Sequence, residues 1–237
     1  MVDIAVVDYG MGNLRSVHQA VRKVAPKASV IVTDDAKVIA SANRVIFPGQ
    51  GAMPDCMREL DSRGLRQAVL DAAQNKPFLG ICIGLQMLFD HSAEGDVPGL
   101  GVLSGEVVRF ASELKDVQGN KLKVPHMGWN QVHGINPLHT KGARAVVPSP
   151  IGGGLGRGFV GEHPLWNCIE QDARFYFVHS YYVRPRDASV VQATSDYPQP
   201  FVCAVAHDNL FAVQFHPEKS AVAGLRLLQN FINWNPQ

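Results

Sequence analysis

The sequence has few cysteines, no excess of either charge and no long apolar run. Cys56, Cys82, Cys168 and Cys203 are its four cysteines, and they form no Cys-x-x-Cys pair. This spacing argues against a disulfide framework and against a zinc site. The 22 Lys and Arg residues nearly cancel the 21 Asp and Glu residues. A balanced charge without basic or acidic runs predicts neither nucleic acid nor an anionic membrane surface as a partner.

Two further absences bear on location. No apolar stretch reaches the roughly 18 residues of a membrane span, and Val2–Asp8 lacks the basic region of a secretory signal peptide. We therefore expect a cytoplasmic protein that does not contact membrane. A length of 237 residues allows one large domain or two. We expect a single domain over residues 1–237.

The first half alternates short β-branched runs with helical patterns, which predicts an α/β fold. Such an alternation is typical of a central, mostly parallel sheet with helices on both faces. Asn13 stands where the first helix needs an N-cap. The predicted strands are Ile4–Asp8, Ser29–Val32, Arg44–Phe47 and Pro77–Ile81, and the predicted helices are Asn13–Val24, Ala36–Ser41, Leu65–Ala73 and one that begins over Leu85–Asp90.

The second half is richer in strands and ends in a helical pattern over Ala221–Trp234. Its predicted strands are Val102–Phe110, Arg174–Val178, Val190–Thr194, Phe201–Ala206 and Leu210–Phe215.

The region from about Pro137 to Glu162 reads as a Gly- and Pro-rich insertion loop. It is longer than the roughly 12–15 residues usual for a connection without secondary structure. It contains a literal Gly-x-Gly-x-x-Gly match from Gly156 to Gly161, but no strand precedes this match and Pro164 follows it closely. The segment therefore does not fit a dinucleotide site.

Cys82 is the most informative residue. It stands in Gly80-Ile81-Cys82-Ile83-Gly84, where an apolar run gives way to a helical pattern. This is the nucleophile-elbow pattern with Cys in place of Ser, and the flanking glycines leave room for a strained turn. A helix amino end beneath the sulfur favours a thiolate and offers backbone N–H groups to an oxyanion. The alternative is a buried strand cysteine before an ordinary turn.

A thiolate nucleophile needs a base and a group that orients the base. His216 follows the apolar run Leu210–Phe215, and Glu218 stands two residues further on, on the same face of an extended segment. Taken alone, His-Pro-Glu is better explained as a strand end before a helix start. Together with the elbow on a parallel sheet, it predicts a Cys82–His216–Glu218 triad at the carboxyl ends of the strands. His179 is the second candidate base, without a carboxylate near it in sequence.

A glycine-rich turn follows another predicted strand, in Phe47-Pro48-Gly49-Gln50-Gly51. Glycines at a strand end allow backbone N–H groups to approach a ligand closely. We expect this turn to form half of an oxyanion hole, with the N–H of Ile83 as the other half. The alternative is an ordinary strand–helix turn.

Together these segments resemble the class I, triad-type glutamine amidotransferases, whose pattern is Gly-x-Cys-x-Gly-x-Gln with a distant His-Pro-Glu. Within that superfamily they resemble the glutaminase subunits of imidazole glycerol phosphate synthases over nearly the whole chain. The segments that carry this closer resemblance are Asp8-Tyr9-Gly10-Met11-Gly12-Asn13, Pro48-Gly49-Gln50-Gly51, Pro125-His126-Met127-Gly128-Trp129-Asn130, Phe177-Val178-His179-Ser180-Tyr181 and Gln214-Phe215-His216-Pro217-Glu218-Lys219-Ser220.

The resemblance implies a role for each matching residue. Cys82 is then the nucleophile, His216 the base and Glu218 its orienting group, with Gly49, Gln50 and Gly51 as the oxyanion strand. It assigns glutamine binding to Gln86, Glu94, His179, Ser180 and Tyr181. It assigns Asn13, Trp129 and Lys219 to the face that meets a partner.

The implied activity is glutamine hydrolysis that supplies ammonia to a (β/α)₈ cyclase subunit in a heterodimer, a step of histidine biosynthesis. No metal and no cofactor are implied. One departure is Gln50, which lies between the oxyanion glycines where many relatives carry a small or β-branched residue. Two alternatives stay open: an amidotransferase subunit that serves another ammonia-consuming synthase, and a non-catalytic protein that has kept the elbow. The complete triad with Gln86 argues against the second.

Overall fold

The structure, a computed structural model, describes residues 2–116, 118–134 and 160–236. The greater part of the predicted insertion over residues 137–162 lies outside the described residues, and so does most of the Gly156–Gly161 match. No helix in the described part of the chain is long and apolar enough to cross a membrane.

The described residues form a mixed α/β fold, as the sequence predicts. The strands are β1 Ile4–Val7, β2 Val30–Thr33, β3 Arg44–Gly49, β4 Phe78–Cys82, β5 Phe89–Ser92, β6 Val97–Pro98, β7 Leu103–Arg109, β8 His126–Gln131, β9 His133–Gly134, β10 Arg174–His179, β11 Tyr181–Pro185, β12 Val191–Asp196, β13 Pro200–His207 and β14 Leu210–Val213. The helices are α1 Leu14–Val24, α2 Ala36–Ser41, α3 Met53–Ser62, α4 Arg66–Asn75, α5 Ile83–Gln86 and α6 Ala221–Asn233.

The main sheet has a parallel part and an antiparallel part. β2, β1, β3, β4 and β14 lie side by side in that order and all run parallel. From β14 the sheet continues through β13, β11 and β7 with antiparallel pairs. The parallel strands are fully apolar over β1, β4 and β14 and are buried along their length, as expected for strands that helices cover on both faces.

Chain connectivity explains this covering. The chain steps from β1 outward to β2, then back across β1 to β3. Since such crossovers are right-handed, the opposite directions of the two steps put α1 and α2 on opposite faces. Accordingly, α1 packs against α6, and α2 packs against α4.

A separate two-stranded sheet lies outside the main one. β8 pairs antiparallel with β10, and His126 stands directly opposite His179. Because side chains alternate along a strand, β8 turns His126 inward and leaves Met127 and Trp129 on its outer face. The sequence did not predict β8, β5, β6, β9 or β11 as strands.

The predicted helix over Leu85–Asp90 is wrong. Helix α5 has a single turn, Ile83–Gln86, and Phe89–Ser92 is strand β5. Leu85–Phe89, apolar except for Gln86, is buried throughout, and a short buried run does not distinguish a helix from a strand by periodicity. Helix α3 was not predicted, although Pro54 at its first turn is a helix-start signal.

Candidate active site

The Cys82 turn has the strained geometry of an elbow. Cys82 ends β4 and has φ 56° and ψ −109°, a sparsely populated conformation that costs a non-glycine residue about 1–3 kcal/mol. Gly80 and Gly84, which stand two residues before and after it, leave little or no room for a Cβ. A Cβ on Gly84 would lie 1.9 Å from the carbonyl oxygen of Phe47, and one on Gly80 would lie 3.0 Å from the Cβ of Ala212. The turn is therefore held by close backbone packing against β3 and β14.

The one-turn length of α5 changes the electrostatic argument at Cys82. A macrodipole sums over aligned peptide units, and the four residues of α5 supply few of them. The expectation that a helix amino end stabilises the thiolate therefore loses much of its force. The groups that contact the sulfur directly matter more.

His216 and Glu218 form a local pair. Glu218 Oε1 lies 2.9 Å from His216 Nδ1, and both side chains are almost fully buried. The segment between them is a 3-10 turn over Pro217–Lys219 rather than an extended strand. The backbone of His216 is fixed as well, because its N–H donates to Tyr176 O at 2.9 Å and its carbonyl accepts from the Ser220 hydroxyl at 2.6 Å.

Glu218 has a second partner that the sequence did not predict. Asn13 Nδ2 donates to the same oxygen, Oε1, at 3.1 Å. Asn13 does occupy the N-cap position of α1, but its side chain makes no capping hydrogen bond. The amide that was expected to cap the helix is therefore used to hold the carboxylate that orients His216.

The second ring nitrogen of His216 faces Cys82. No group in the described part of the chain makes a well-formed hydrogen bond to His216 Nε2. Burial lowers the pKa of His216, but the Cys82 sulfur and the Glu218 carboxylate outweigh burial and raise this pKa to about 10. The imidazole is therefore protonated at neutral pH beside the sulfur when the sulfur is a thiolate, as a cysteine–histidine ion pair requires.

The side-chain amide of Gln214, to which the sequence assigned no role, links Gln86 to Cys82, and Gln86 is also bound to Tyr181. Gln86 Nε2 donates to Tyr181 O at 3.1 Å and to Gln214 Oε1 at 3.0 Å. Gln214 Nε2 in turn lies 3.7 Å from Cys82 Sγ. A buried amide at the end of an otherwise apolar strand is the signal in the sequence that could have drawn attention to Gln214.

Most of the predicted site residues line one cavity, where the parallel strands end and the antiparallel part of the sheet begins. Its volume is about 240 Å³, below the roughly 300–1,000 Å³ of pockets for drug-sized ligands, so it suits a ligand of amino-acid size. The lining residues are Gln50, Gly51, Cys82, Ile83, Gln86, Glu94, Pro125, Val178, His179, Ser180, Tyr181, His216 and Lys219. All the predicted triad and glutamine-binding residues except Glu218 are among them, and Glu218 lies behind His216.

The cavity offers acceptors to a positively charged group. Glu94 Oε2 accepts from the backbone N–H of Met53 at 2.8 Å, at the start of α3. Gln86 Oε1 is buried and has no hydrogen-bond partner among the described residues. Buried acceptors without partners are costly, so a ligand that donates hydrogen bonds fits here.

The predicted oxyanion strand borders the cavity with Gln50 and Gly51. Gly51 has φ +115°, which disfavours any other residue there. The Cys56 thiol lies 3.6 Å from the Gln50 carbonyl as its donor, and burial raises the pKa of Cys56 to about 11, so it stays a thiol. Gln50 itself is exposed, and its side chain therefore does not crowd the turn.

Both ring nitrogens of His179, the second candidate base, already make hydrogen bonds. Its Nδ1 donates to Tyr181 O at 2.8 Å, and its Nε2 accepts from His126 Nδ1 at 3.0 Å. Asn130 Nδ2 completes the chain by donating to His126 Nε2 at 3.2 Å. Burial lowers the pKa of His179 to about 3 and that of His126 to about 4. Both rings are neutral at pH 7, with no free nitrogen on His179 to accept a proton.

The residues predicted to face a partner share one side of the molecule. Trp129 is 49% exposed and packs edge-on against Tyr176. Lys219 Nζ lies 5.9 Å above the same Tyr176 ring. Met127 is 62% exposed on the same face of β8 as Trp129. Asn13 is bound to Glu218, the residue before Lys219.

The part of the chain that the structure describes contains no cluster of three or more His, Cys, Asp or Glu side chains suited to a metal.

Comparison with known proteins identifies relatives along the whole chain. The family model described as "Glutamine amidotransferase class-I" matches residues 5–234. "Imidazole glycerol phosphate synthase subunit HisH" of Nitrosospira multiformis is 59% identical over 237 residues, which cover 100% of both chains. The protein of the same description from Thiobacillus denitrificans is 57% identical over 236 residues, 99% of this chain and 92% of that one.

Solved structures show the same fold at low identity. PurLQS from Thermotoga maritima matches with a TM-score of 0.63 and 18% identity, over 98% of this chain and 99% of that one. A crystal structure described as glutamine amidotransferase matches with a TM-score of 0.61 and 16% identity, over 97% of each chain.

Proposed function

We propose that this chain, which belongs to the class I glutamine amidotransferases and within them to the HisH subunits of imidazole glycerol phosphate synthase, hydrolyses glutamine through Cys82, His216 and Glu218. The observation that carries the proposal is the convergence of these side chains at one small cavity. Cys82 stands on a strained turn, His216 faces its sulfur, and Glu218 holds the other ring nitrogen at 2.9 Å.

The first half-reaction transfers the glutamyl group to sulfur. The Cys82 thiolate attacks the carboxamide carbon, a carbon–sulfur bond forms, and the carbonyl electrons move to oxygen. Backbone N–H groups near Gly51 and Ile83 stabilise this oxyanion. The intermediate then collapses, the carbon–nitrogen bond breaks, and the His216 imidazolium gives its proton to the leaving nitrogen. Ammonia and a glutamyl thioester are the products.

The second half-reaction uses water. Neutral His216 takes a proton from the water that attacks the thioester carbon, and collapse of the intermediate returns the electron pair to sulfur. Glutamate leaves after its new carboxyl group loses a proton to solvent. Glu218 keeps its charge in both halves and stabilises the imidazolium, with Asn13 as its second support.

The cavity also accounts for the choice of substrate. Glutamine carries an α-ammonium group, and Glu94 and the unpartnered Gln86 Oε1 are acceptors for its N–H bonds. Its α-carboxylate requires donors, and we assign backbone groups over Ser180–Tyr181 to this part of the substrate. His179 orients this segment, because its ring N–H holds the Tyr181 carbonyl.

We further propose that the ammonia passes to a (β/α)₈ cyclase partner in a heterodimer. Free ammonia is protonated in water at neutral pH and loses its nucleophilicity, so a docked acceptor is needed. The exposed Trp129 and Met127, with Tyr176 beside Trp129, are residues of the types enriched at protein interfaces. The match of the family model to residues 5–234 supports one amidotransferase domain over residues 1–237, and we expect it to act in the cytoplasm.

Glutamate release by the purified chain tests the proposal directly. It is measured alone, with the histidine-pathway cyclase, and with the cyclase together with its nucleotide substrate. We expect a large rise in the complete mixture. Cys82→Ala is the matched control and is expected to show no hydrolysis under any condition. No rise in the complete mixture would overturn the proposed partner, and hydrolysis by Cys82→Ala would overturn the proposed nucleophile.

A further inference from the structure

Gln214 is a buried amide next to the Cys82 sulfur. It directly follows β14, two residues before His216, and its side chain is fully buried. Burying an amide is costly unless its polar atoms find partners. A buried amide at this position therefore needs a reason beyond packing.

The hydrogen bonds around Gln214 have a fixed direction that begins at a backbone carbonyl. Tyr181 O is an acceptor only, so the group of Gln86 that lies 3.1 Å from it must be the Nε2 donor. The same Nε2 lies 3.0 Å from Gln214. The atom of Gln214 on that side must therefore be the acceptor Oε1.

The rest of the Gln214 amide follows from this assignment. With Oε1 turned toward Gln86, Nε2 lies on the opposite side, 3.7 Å from Cys82 Sγ. The flipped amide would set two NH₂ donors against each other at Gln86 and is excluded. The amide thus presents a donor, not an acceptor, to the sulfur.

We propose that Gln214 is a positioning residue that donates a hydrogen bond to the Cys82 sulfur and favours its thiolate form. A thiolate accepts such a bond more strongly than a thiol does, so the donor stabilises the reactive form selectively. This proposal rests on the proposed function only in taking Cys82 as the nucleophile. The hydrogen bonds of Gln86 to Tyr181 and to Gln214 set the direction of the bond from Gln214 to the sulfur.

Other ionisable groups also act on this sulfur, and a test must separate their effects from that of Gln214. His216 favours the thiolate, and so does any cation at the cavity wall, whereas carboxylates disfavour it. The ionisable groups around the sulfur are His216 with Glu218 behind it, Tyr9 and Cys56 beneath the elbow, and Glu94, His179 and Lys219 at the cavity wall. The Gln214 variants leave all of these residues in place.

The experiment measures the rate at which iodoacetamide alkylates Cys82 as a function of pH. Cys168 is exposed, so all variants carry Cys168→Ser, and the modified Cys82 peptide is quantified by mass spectrometry. Gln214→Met keeps the length of the side chain and removes the donor. Gln214→Glu keeps the shape and replaces the donor with a carboxylate.

We expect the pH midpoint of alkylation to rise by about one unit in Gln214→Met, which is about a tenfold slower reaction below the midpoint. Gln214→Glu should raise the midpoint further, because a carboxylate disfavours the thiolate. Asn209→Leu is the matched control, since Asn209 stands before the opposite end of β14 and its amide holds the carbonyls of Ala73 and Lys76. This control should lose stability without moving the midpoint.

An unchanged midpoint in a folded Gln214 variant overturns the proposal, and so does a shift in Asn209→Leu as large as that in Gln214→Met. Near-ultraviolet circular dichroism establishes folding, and the isosteric Gln214→Glu serves if Gln214→Met does not fold. The readout is thiol reactivity without glutamine, so a negative result here leaves the glutaminase test intact. Failure of glutamine hydrolysis in the unchanged protein would instead remove the proposed function.

Discussion

The two sides of the cavity are built in different ways. On the parallel side, Cys82 ends β4 and His216 lies just after β14, and these two strands are neighbours in the sheet. A short motif positions each residue. The other side of the cavity, called here the antiparallel side, is formed by the separate two-stranded sheet of β8 and β10. There, His126 and His179 lie 53 residues apart in sequence and meet only because β8 pairs with β10. The parallel side brings the nucleophile and its base, whereas the antiparallel side brings neutral rings and backbone carbonyls.

This difference shows how the roles are divided. The parallel side depends on backbone strain and close approach, which only a few residue types tolerate. The antiparallel side depends on stacked rings and a directed chain of hydrogen bonds, in which His126 stacks on Phe177 and Tyr197. We therefore expect substitutions of the catalytic side chains on the parallel side to affect the chemical step and substitutions of its glycines to affect stability. Substitutions on the antiparallel side should affect stability and its dependence on pH.

The largest expected effect is that of Cys82→Ala in the complex with the proposed cyclase partner. Glutamine-dependent synthesis should fall by a factor on the order of 10⁴ or more, because no other group attacks the carboxamide. Synthesis from added ammonium salt should continue, since the cyclase supplies that chemistry. Loss of both activities would show that Cys82 has a structural role and would break the proposed division of roles.

The next effect separates the base from its orienting group. His216→Ala should lower kcat for glutamine hydrolysis by about 10²–10⁴, the contribution of a general acid–base. Glu218→Gln should cost less than His216→Ala, because an amide oxygen at position 218 still accepts from His216 Nδ1 and the base itself remains. Steady-state glutamate release measures both, and equal losses would mean that Glu218 does more than orient the ring.

A third substitution tests the close packing at the elbow. Gly84→Ala places a Cβ 1.9 Å from the carbonyl oxygen of Phe47 and should destabilise the fold by about 3 kcal/mol. Gly64→Ala is the control, because nothing lies within 4 Å of its Cβ and only its φ of +67° is unfavourable. We expect the control to cost about 1 kcal/mol. Urea unfolding measures both, and similar losses would exclude close approach as the reason for Gly84.

The smallest effect concerns the histidine pair on the antiparallel side. The folded pKa values of His179 and His126, about 3 and about 4, lie below the ordinary value of about 6.5. The unfolded chain therefore binds more protons below pH 6.5, so stability is full above that pH and falls toward the folded pKa values.

For each of the two histidines, the free energy of unfolding should fall by about 1–2 kcal/mol between pH 7 and pH 5. His126→Phe removes one titrating ring, so its unfolding free energy should depend less steeply on pH over this range. Urea titrations at pH 5, 6 and 7 compare the slopes, and an unchanged slope would contradict the neutral pair.

The sequence predicted the parallel side better than the antiparallel side for a physical reason. Strands such as Phe78–Cys82 are buried on both faces and read as continuous apolar runs, and the glycines around Cys82 mark the turn. Strand β8 is half exposed and carries His126, Gly128 and Asn130 on one face, a composition without a strand signal. Helix α5 was predicted too long because the apolar residues after it continue into β5.

By itself the sequence determined the α/β fold, the elbow at Cys82, the pairing of His216 with Glu218 and the family. Each of these depends on contacts between residues that are close along the chain, or on the order of the motifs in the sequence. Only the tertiary structure decided that Asn13 supports Glu218, that His179 is neutral and occupied, and that Gln214 presents a donor to the sulfur. These facts depend on the direction of hydrogen bonds between distant segments, and that direction is set only when the strands have paired.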